Sequence, residues 1–222
     1  MPARLEEVIA IALLFSAVWA FNRWRQQQRQ KALVEVARQL GLDFEAEDWP
    51  PRYPGPQLEA RHFMHNQGQM FRNTMSGERS KLRTSFFDHV IGGRSGHTDT
   101  IASFTQPIFL PEFALTQKGI LSAIGNSLLH RKIDFDSDPV FSERFSLAGS
   151  EENAVRELFT PDMREFLETI EPEWQIEDSG HTLFMYQSGY VVKPDEYGDF
   201  VDETTDMAKT FFSHCHLKPP AF

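Results

Sequence analysis

Three groups of side chains in this sequence have the types and spacing that chemistry uses, and each lacks one thing that its chemistry requires. The first is Asp134, Asp136 and Asp138, three carboxylates at alternate positions. A calcium loop needs glycine at its sixth position for the sharp turn and glutamate at its twelfth, where this chain has Pro139 and Phe145. An aspartyl-phosphate nucleophile would follow an apolar strand, and His130, Arg131 and Lys132 do not suggest one. The acids read instead as a solvated turn whose like charges hold it open.

The second group is Gly92, Gly93, Arg94, Ser95 and Gly96, which offers backbone amides, a cation and a hydroxyl as a phosphate cradle does. No Lys-Ser or Lys-Thr follows, and the segment lies between strand-like runs, not at the head of a helix. It also misses the G-x-S-x-G elbow, because Gly96 directly follows Ser95. It reads as the glycine-rich tip of a hairpin.

The third group is histidine and cysteine. His62 and His65 would point to opposite faces of a strand. His214, Cys215 and His216 stand close to Pro219 and Pro220, in a stretch expected to fray. Zinc sites show two separated ligand pairs with tight spacing, and that pattern is missing. A nucleophile and its base meet in space, so histidines adjacent to Cys215 in sequence do not make it a catalytic thiol. No residue is therefore nominated as catalytic, cofactor-binding or metal-ligating, and no cofactor is implied. An enzyme site would have to be assembled from residues distant in the chain.

Charge narrows the partners. Residues 1–31 hold five basic and two acidic side chains, which leaves 17 basic against 30 acidic in the rest, a balance of −13. So acidic a domain is a poor partner for nucleic acid, whose affinity rests on neutralising phosphates. The lone cysteine rules out an internal disulfide framework and leans towards a reducing compartment.

Residues 8–21 are apolar except for Ser16. Fourteen residues fall short of the roughly 20 that a helix needs to cross a bilayer core, but residues 5–24 reach that length. Glu6, Glu7, Asn22 and Arg23 then sit at the edges, with Trp19 and Trp24 at the level of an aromatic belt. A cleaved signal peptide is the rival reading, since Val18, Trp19 and Ala20 make a tolerable cleavage site. Its n-region should be basic, however, and here it carries acids. Arg23, Arg25, Arg29 and Lys31 follow the span, and the positive-inside rule places that side in the cytoplasm.

The remaining elements follow from periodicity. Leu33, Val36, Ala37 and Leu40 make one helical stripe that continues from the span, with Gly41 as its stop. A short strand is expected at 42–44, and a stiff proline-rich connector at 50–56. Strands are expected at 82–89, 98–105 and 145–148, with a hairpin over 174–187 around Ser179 and Gly180. Ser150 is expected to cap one helix and Thr160, followed by Pro161 and Asp162, the next. The last helix is expected at 195–212, with Tyr197, Phe200, Val201, Thr204, Ala208 and Phe211 on one face.

The string Ile133, Asp134, Phe135, Asp136, then Pro139, Val140, Phe141, Ser142, then Phe145 to Gly149, with Glu151, Glu152 and the run from Val155 to Thr160, resembles a group of bacterial proteins. They pair an N-terminal membrane helix and a helix ending in Leu-Gly-Leu with a soluble domain of unknown role. The resemblance implies single-pass topology and supplies no activity or site residue.

The expectation is thus an α+β chain in three parts: a membrane anchor at 1–25, a juxtamembrane amphipathic helix at 26–41, and one acidic domain at 42–222 with antiparallel sheet packed by about three helices. Its expected partner is the lipid bilayer, with a protein partner or a second copy left open. Its expected place is the inner membrane, with the domain in the cytoplasm as a binding or scaffold module. A membrane-bound hydrolase or metal-dependent enzyme is the alternative.

Overall fold

Leu33, Val36, Ala37 and Leu40 share one side of a helix, and in the computed structural model that side meets a sheet. The structure describes residues 2–48, 70–90, 97–105, 109–118, 131–170, 173–180 and 182–214. The helix, α1 (Pro2–Leu40), is unbroken over 39 residues, about 58 Å at 1.5 Å per residue. Its two halves meet different surroundings. Val8, Leu14, Phe15, Val18 and Trp19 are each at least half exposed, whereas Leu33 and Ala37 are sealed. From Glu7 onward it is the one helix among the described residues long and apolar enough to cross a membrane. Gly41 ends it with a φ of 69°, the Leu42 amide donating to the Ala37 carbonyl and the Gly41 amide to that of Arg38. That left-handed Schellman turn suits glycine, which has no Cβ to clash.

Among the described residues the sheet has nine strands: β1 (Asp43–Asp48), β2 (Met70–Arg79), β3 (Leu82–Val90), β4 (Thr98–Thr105), β5 (Phe113–Gln117), β6 (Arg131–Ile133), β7 (Phe145–Gly149), β8 (Trp174–Asp178) and β9 (Thr182–Gln187). Their order is β1-β2-β3-β4-β9-β8-β5-β7-β6, and every neighbouring pair runs antiparallel. The expected β3–β4 and β8–β9 hairpins are both present, although the glycine-rich tip of the first lies outside the described residues. So does the 50–56 connector. Among the described residues four helices follow α1: α2 (Pro139–Arg144), α3 (Glu152–Leu158), α4 (Pro161–Thr169) and α5 (Tyr197–His214). The fold is α+β.

Period-two alternation assigns the faces. Phe86 meets Phe200 of α5 at 6.2 Å between ring centroids, and its neighbour Phe87 points the other way. The main core gathers residues from all five described helices, and phenylalanine dominates it. Phe113 contacts Phe159 and Phe211 at 5.1 and 5.6 Å, and Phe159 contacts Phe141. The opposite cluster, Phe71, Phe87, Ile101, Phe184 and Tyr186, comes from strands alone.

Three local expectations change. Glu151, not Ser150, occupies the N-cap of α3, and its side chain makes no cap bond. The expected solvated turn is present at 136–137, but two of the three aspartates are paired and do not simply repel. Asp138 caps α2, accepting from the Phe141 amide at 3.1 Å, and pairs with Arg164 at 2.7 Å, while Asp134 pairs with Lys132 at 2.7 Å. The residues before Asp134 do form a strand, β6, in spite of their polarity. Its hydrogen bonds to β7 and the burial of Ile133 in the core hold it despite Arg131 and Lys132.

Candidate functional site

The chemistry-bearing group that the fold assembles most completely is one that motif spacing does not flag. It begins with Asp88, in the second half of β3 on the side that faces α1. Arg29 stands one helical turn before Leu33, so its side chain extends over the same sheet face. Arg29 Nε donates to Asp88 Oδ2 and Nη2 to Oδ1, each at 3.0 Å, and Nη1 donates to the Val192 carbonyl at 2.7 Å. Asn73 Nδ2 donates to Oδ2 at 2.7 Å and the Thr100 hydroxyl to Oδ1 at 2.8 Å. A carboxylate has about four lone-pair positions, and here all four are taken.

The backbone is bent to allow this. Asn73 has a φ of 55° and sits in a bulge where the β2–β3 register slips between Arg72 and Met75. A bulge re-aims a side chain at a small cost in pairing, and asparagine tolerates the left-handed region better than most residues. Thr100 relays the network onward, accepting from the Val192 amide at 3.0 Å. Tyr197 is fully buried beside it. Burial pushes its phenol well above the ordinary range, and the charge of Asp88 adds to that while Arg29 opposes it. The group thus ties α1, β2, β3, β4 and the connection from β9 to α5 at one point. At the far end of the docked segment Arg79 donates to the Leu40 carbonyl at 3.3 Å and to Asp202 of α5 at 2.8 Å. A saturated, buried ion pair positions elements. It has no free lone pair with which to take a proton from a substrate.

Beyond Arg29 the same helix face runs past the edge of the sheet and opens a cleft of about 620 Å³. Trp19, Arg23, Gln26 and Gln30 line it from α1, and Arg72 from β2. The Arg23 guanidinium lies over the Trp19 ring at 5.6 Å.

Other polar groups are structural. Arg164 holds Asp138, donates to the Phe159 carbonyl at 2.7 Å and lies over the Phe135 ring at 4.3 Å. Its hydrogen bond to Asp138 keeps that carboxyl below the usual range. Tyr186 donates to Glu177 at 2.7 Å on the strand-only face, where burial raises the phenol. Asp178 is buried and accepts from the Gly180 amide. Loss of solvation pushes its carboxyl well above normal, with Glu112 adding to the rise. His97 Nε2 lies 3.1 Å from Asp99, but among the described residues no hydroxyl or thiol is hydrogen-bonded to His97.

The residues singled out by spacing do not converge. Asp134 and Asp138 belong to the α2 turn, His214 ends α5, and His62, His65, Cys215, His216 and residues 92–96 lie outside the described residues. Among the described residues no three of His, Cys, Asp and Glu come together as a metal site. What sequence reasoning missed is Asp88. Its one signal is a carboxylate inside the apolar run 82–90, matched by an arginine one turn ahead of the Leu33 stripe.

The fold and this clamp define a class: an antiparallel α+β domain fixed side-on to a long, half-exposed N-terminal helix. No protein-family model and no curated protein matches the sequence. Among solved structures the chain is similar to the crystal structure of the mycobacterial trehalose monomycolate transport factor A. That similarity has a TM-score of 0.60 and 13% identity, and covers 89% of this chain and 98% of that one. At that identity what the two share is the fold.

Proposed function

We propose that this protein is a single-pass membrane protein in three parts. Residues 1–25 anchor it, residues 26–41 join anchor to domain, and residues 42–222 form an acidic, non-catalytic domain held at the cytoplasmic face of the inner membrane as a binding or scaffold module. The observation that carries the reading is the division of α1. One unbroken helix is exposed and almost wholly apolar from Val8 to Phe21, and from Arg29 it is locked into the sheet. With residues 5–24 across the core, Arg29 lies only five residues, about 7 Å, beyond Trp24. The domain is therefore held against the headgroups with no flexible linker between.

Two further facts support it. The saturated Asp88 network is suited to holding geometry rather than to turnover. The fold is also that of a trehalose monomycolate transport factor, which favours an accessory role in transport over hydrolysis. Membrane fractionation tests the anchor: the full chain is expected to stay in the pellet after alkaline carbonate. A reporter fused after Phe222 tests the orientation, with a cytoplasmic reporter active and a periplasmic one silent. Release by carbonate, or a mature N-terminus at Phe21, would overturn the reading.

A further inference from the structure

The cleft between α1 and β2 lies where the anchoring helix leaves the domain. We infer that it is a site for the headgroup of one anionic phospholipid of the leaflet on which the domain sits. The inference rests on the membrane-anchored reading above.

Charge is the first argument. Arg23, Arg25, Arg29 and Arg72 all line the cleft, and among its described lining residues there is no carboxylate. The charge of Arg29 is neutralised by Asp88. Arg25 and Arg23 have no acidic partner among the described residues, and Arg23 is oriented by the Trp19 ring instead. The guanidiniums of Arg23 and Arg25, beside a concavity, are arranged for an external anion, and their planar forks match phosphate oxygens. The setting sharpens this, since residues 32–222 carry 30 acids against 17 bases. An acidic domain pressed onto a negatively charged leaflet is repelled unless a basic patch meets the lipid, and these arginines are that patch.

Depth is the second argument. Trp19 lies at the inner edge of the cleft and Gln30 at the outer, 11 residues apart, or about 16 Å along the axis. The headgroup layer beyond the hydrocarbon core is about 5–7 Å thick on each side. The cleft therefore spans the edge of the core and the headgroup layer. Volume is the third. A bare phosphate would leave most of 620 Å³ empty, whereas a headgroup with its glycerol suits the few-hundred-Å³ scale of ligand sites. The side-chain amides of Asn22, Gln26 and Gln30 supply donors to the ester oxygens. The acyl chains then run along the exposed apolar face of α1, where Phe15 and Val18 stand in contact with no part of the domain core.

The test uses the full chain purified in a neutral detergent. Native mass spectrometry and thermal melting are read after titration with phosphatidylglycerol, phosphatidylcholine or inorganic phosphate. Phosphatidylglycerol is expected to be retained at one per chain and to raise Tm, phosphatidylcholine at least tenfold more weakly, and phosphate to compete only at millimolar levels. Arg25→Gln changes an exposed residue and should leave the unliganded Tm unchanged while weakening retention several-fold. Arg25→Gln combined with Arg72→Gln should abolish it. Equal retention of the two lipids, unchanged retention in both variants, or phosphate competing as strongly as lipid overturns the inference. Carbonate extraction of the same variants separates the two ideas: a chain that stays in the membrane but ignores lipid charge refutes the headgroup site and leaves the anchor standing.

Discussion

Replacing Arg29 tests whether the ion pair with Asp88 is what fixes the domain to its helix. The side chains of Arg29 and Asp88 are 18% and 5% exposed. In Arg29→Met, Asp88 keeps the donors Asn73 and Thr100 and loses both bonds to the guanidinium. Stranding one member of a buried pair costs about 3–5 kcal/mol. The lower end applies here, since partial exposure of Arg29 lets water reach the carboxylate, so about 3 kcal/mol is expected. Asp88→Leu should cost a similar amount, because it leaves the guanidinium, Asn73 and Thr100 without their acceptor.

The double variant removes the charges together. It should cost about 4 kcal/mol instead of the additive ~6, a coupling of about 2 kcal/mol. Arg29→Lys keeps the charge without the fork and should fall midway, near 1.5 kcal/mol. The assay is urea unfolding of the full chain in non-ionic micelles, followed by near-ultraviolet circular dichroism of the buried aromatic rings. A coupling below about 0.5 kcal/mol, or a loss under 1 kcal/mol for Arg29→Met, would refute the reasoning. The pair would then be ornamental, and docking would rest on the Leu33 stripe and the Arg79 contact to Leu40.

Other expectations follow from single sites. Asp178 has its folded carboxyl raised by burial, so it favours folding fully below the unfolded value near pH 4 and progressively less as pH rises above it. Asp178→Asn should therefore raise Tm at pH 7 and make no difference below pH 4; the same gain at both would sink the assignment. Asp138 behaves oppositely, its stabilisation by Arg164 present at neutral pH and lost in acid, so Asp138→Asn, which keeps the cap, should lower Tm at pH 7 and much less near pH 2. A Cβ on Gly149 would lie 2.7 Å from Val155 Cγ2 and 2.9 Å from the Glu112 carbonyl. Gly149→Ala should accordingly cost about 1–3 kcal/mol in the same urea assay by forcing β7 outward. The β2–β3 turn holds Ser80 and Lys81 at φ of 51° and 66°, a conformation that asparagine and glycine adopt without strain, so Ser80→Asn with Lys81→Gly should gain about 1 kcal/mol.

That turn also shows where the sequence stops being readable. Two-residue hairpins announce themselves through Asn-Gly or Asp-Gly, and Ser80-Lys81 gives no such sign, so β2 is not separable from β3 by inspection. The helices fare better because capping is local. Thr160, Pro161 and Asp162 mark the start of α4, and the stripe of Tyr197, Phe200, Val201, Thr204, Ala208 and Phe211 is buried along α5. The helix α2 was readable in principle, since Asp138 followed by Pro139 is a cap and a first-turn proline. The like charges around it point in sequence to repulsion instead. The Asp88 network was not legible at all. Its members come from positions 29, 73, 88, 100 and 192, and only antiparallel pairing plus one bulge brings them within hydrogen-bond reach.

The unbroken helix α1 also has a mechanical consequence. From the level of Trp24 to Leu40 it extends 16 residues, about 24 Å, as a stiff rod bonded to the sheet at both ends of its docked half. A span in a bilayer answers changes in thickness by tilting. A tilt of about 20° about the interface swings Leu40 sideways by about 8 Å. With no hinge between Trp24 and Arg29 to absorb that angle, the sheet moves with it. On the anchored reading proposed above, the docked arm of about 24 Å carries the sheet sideways as the span tilts, because no linker takes up the angle.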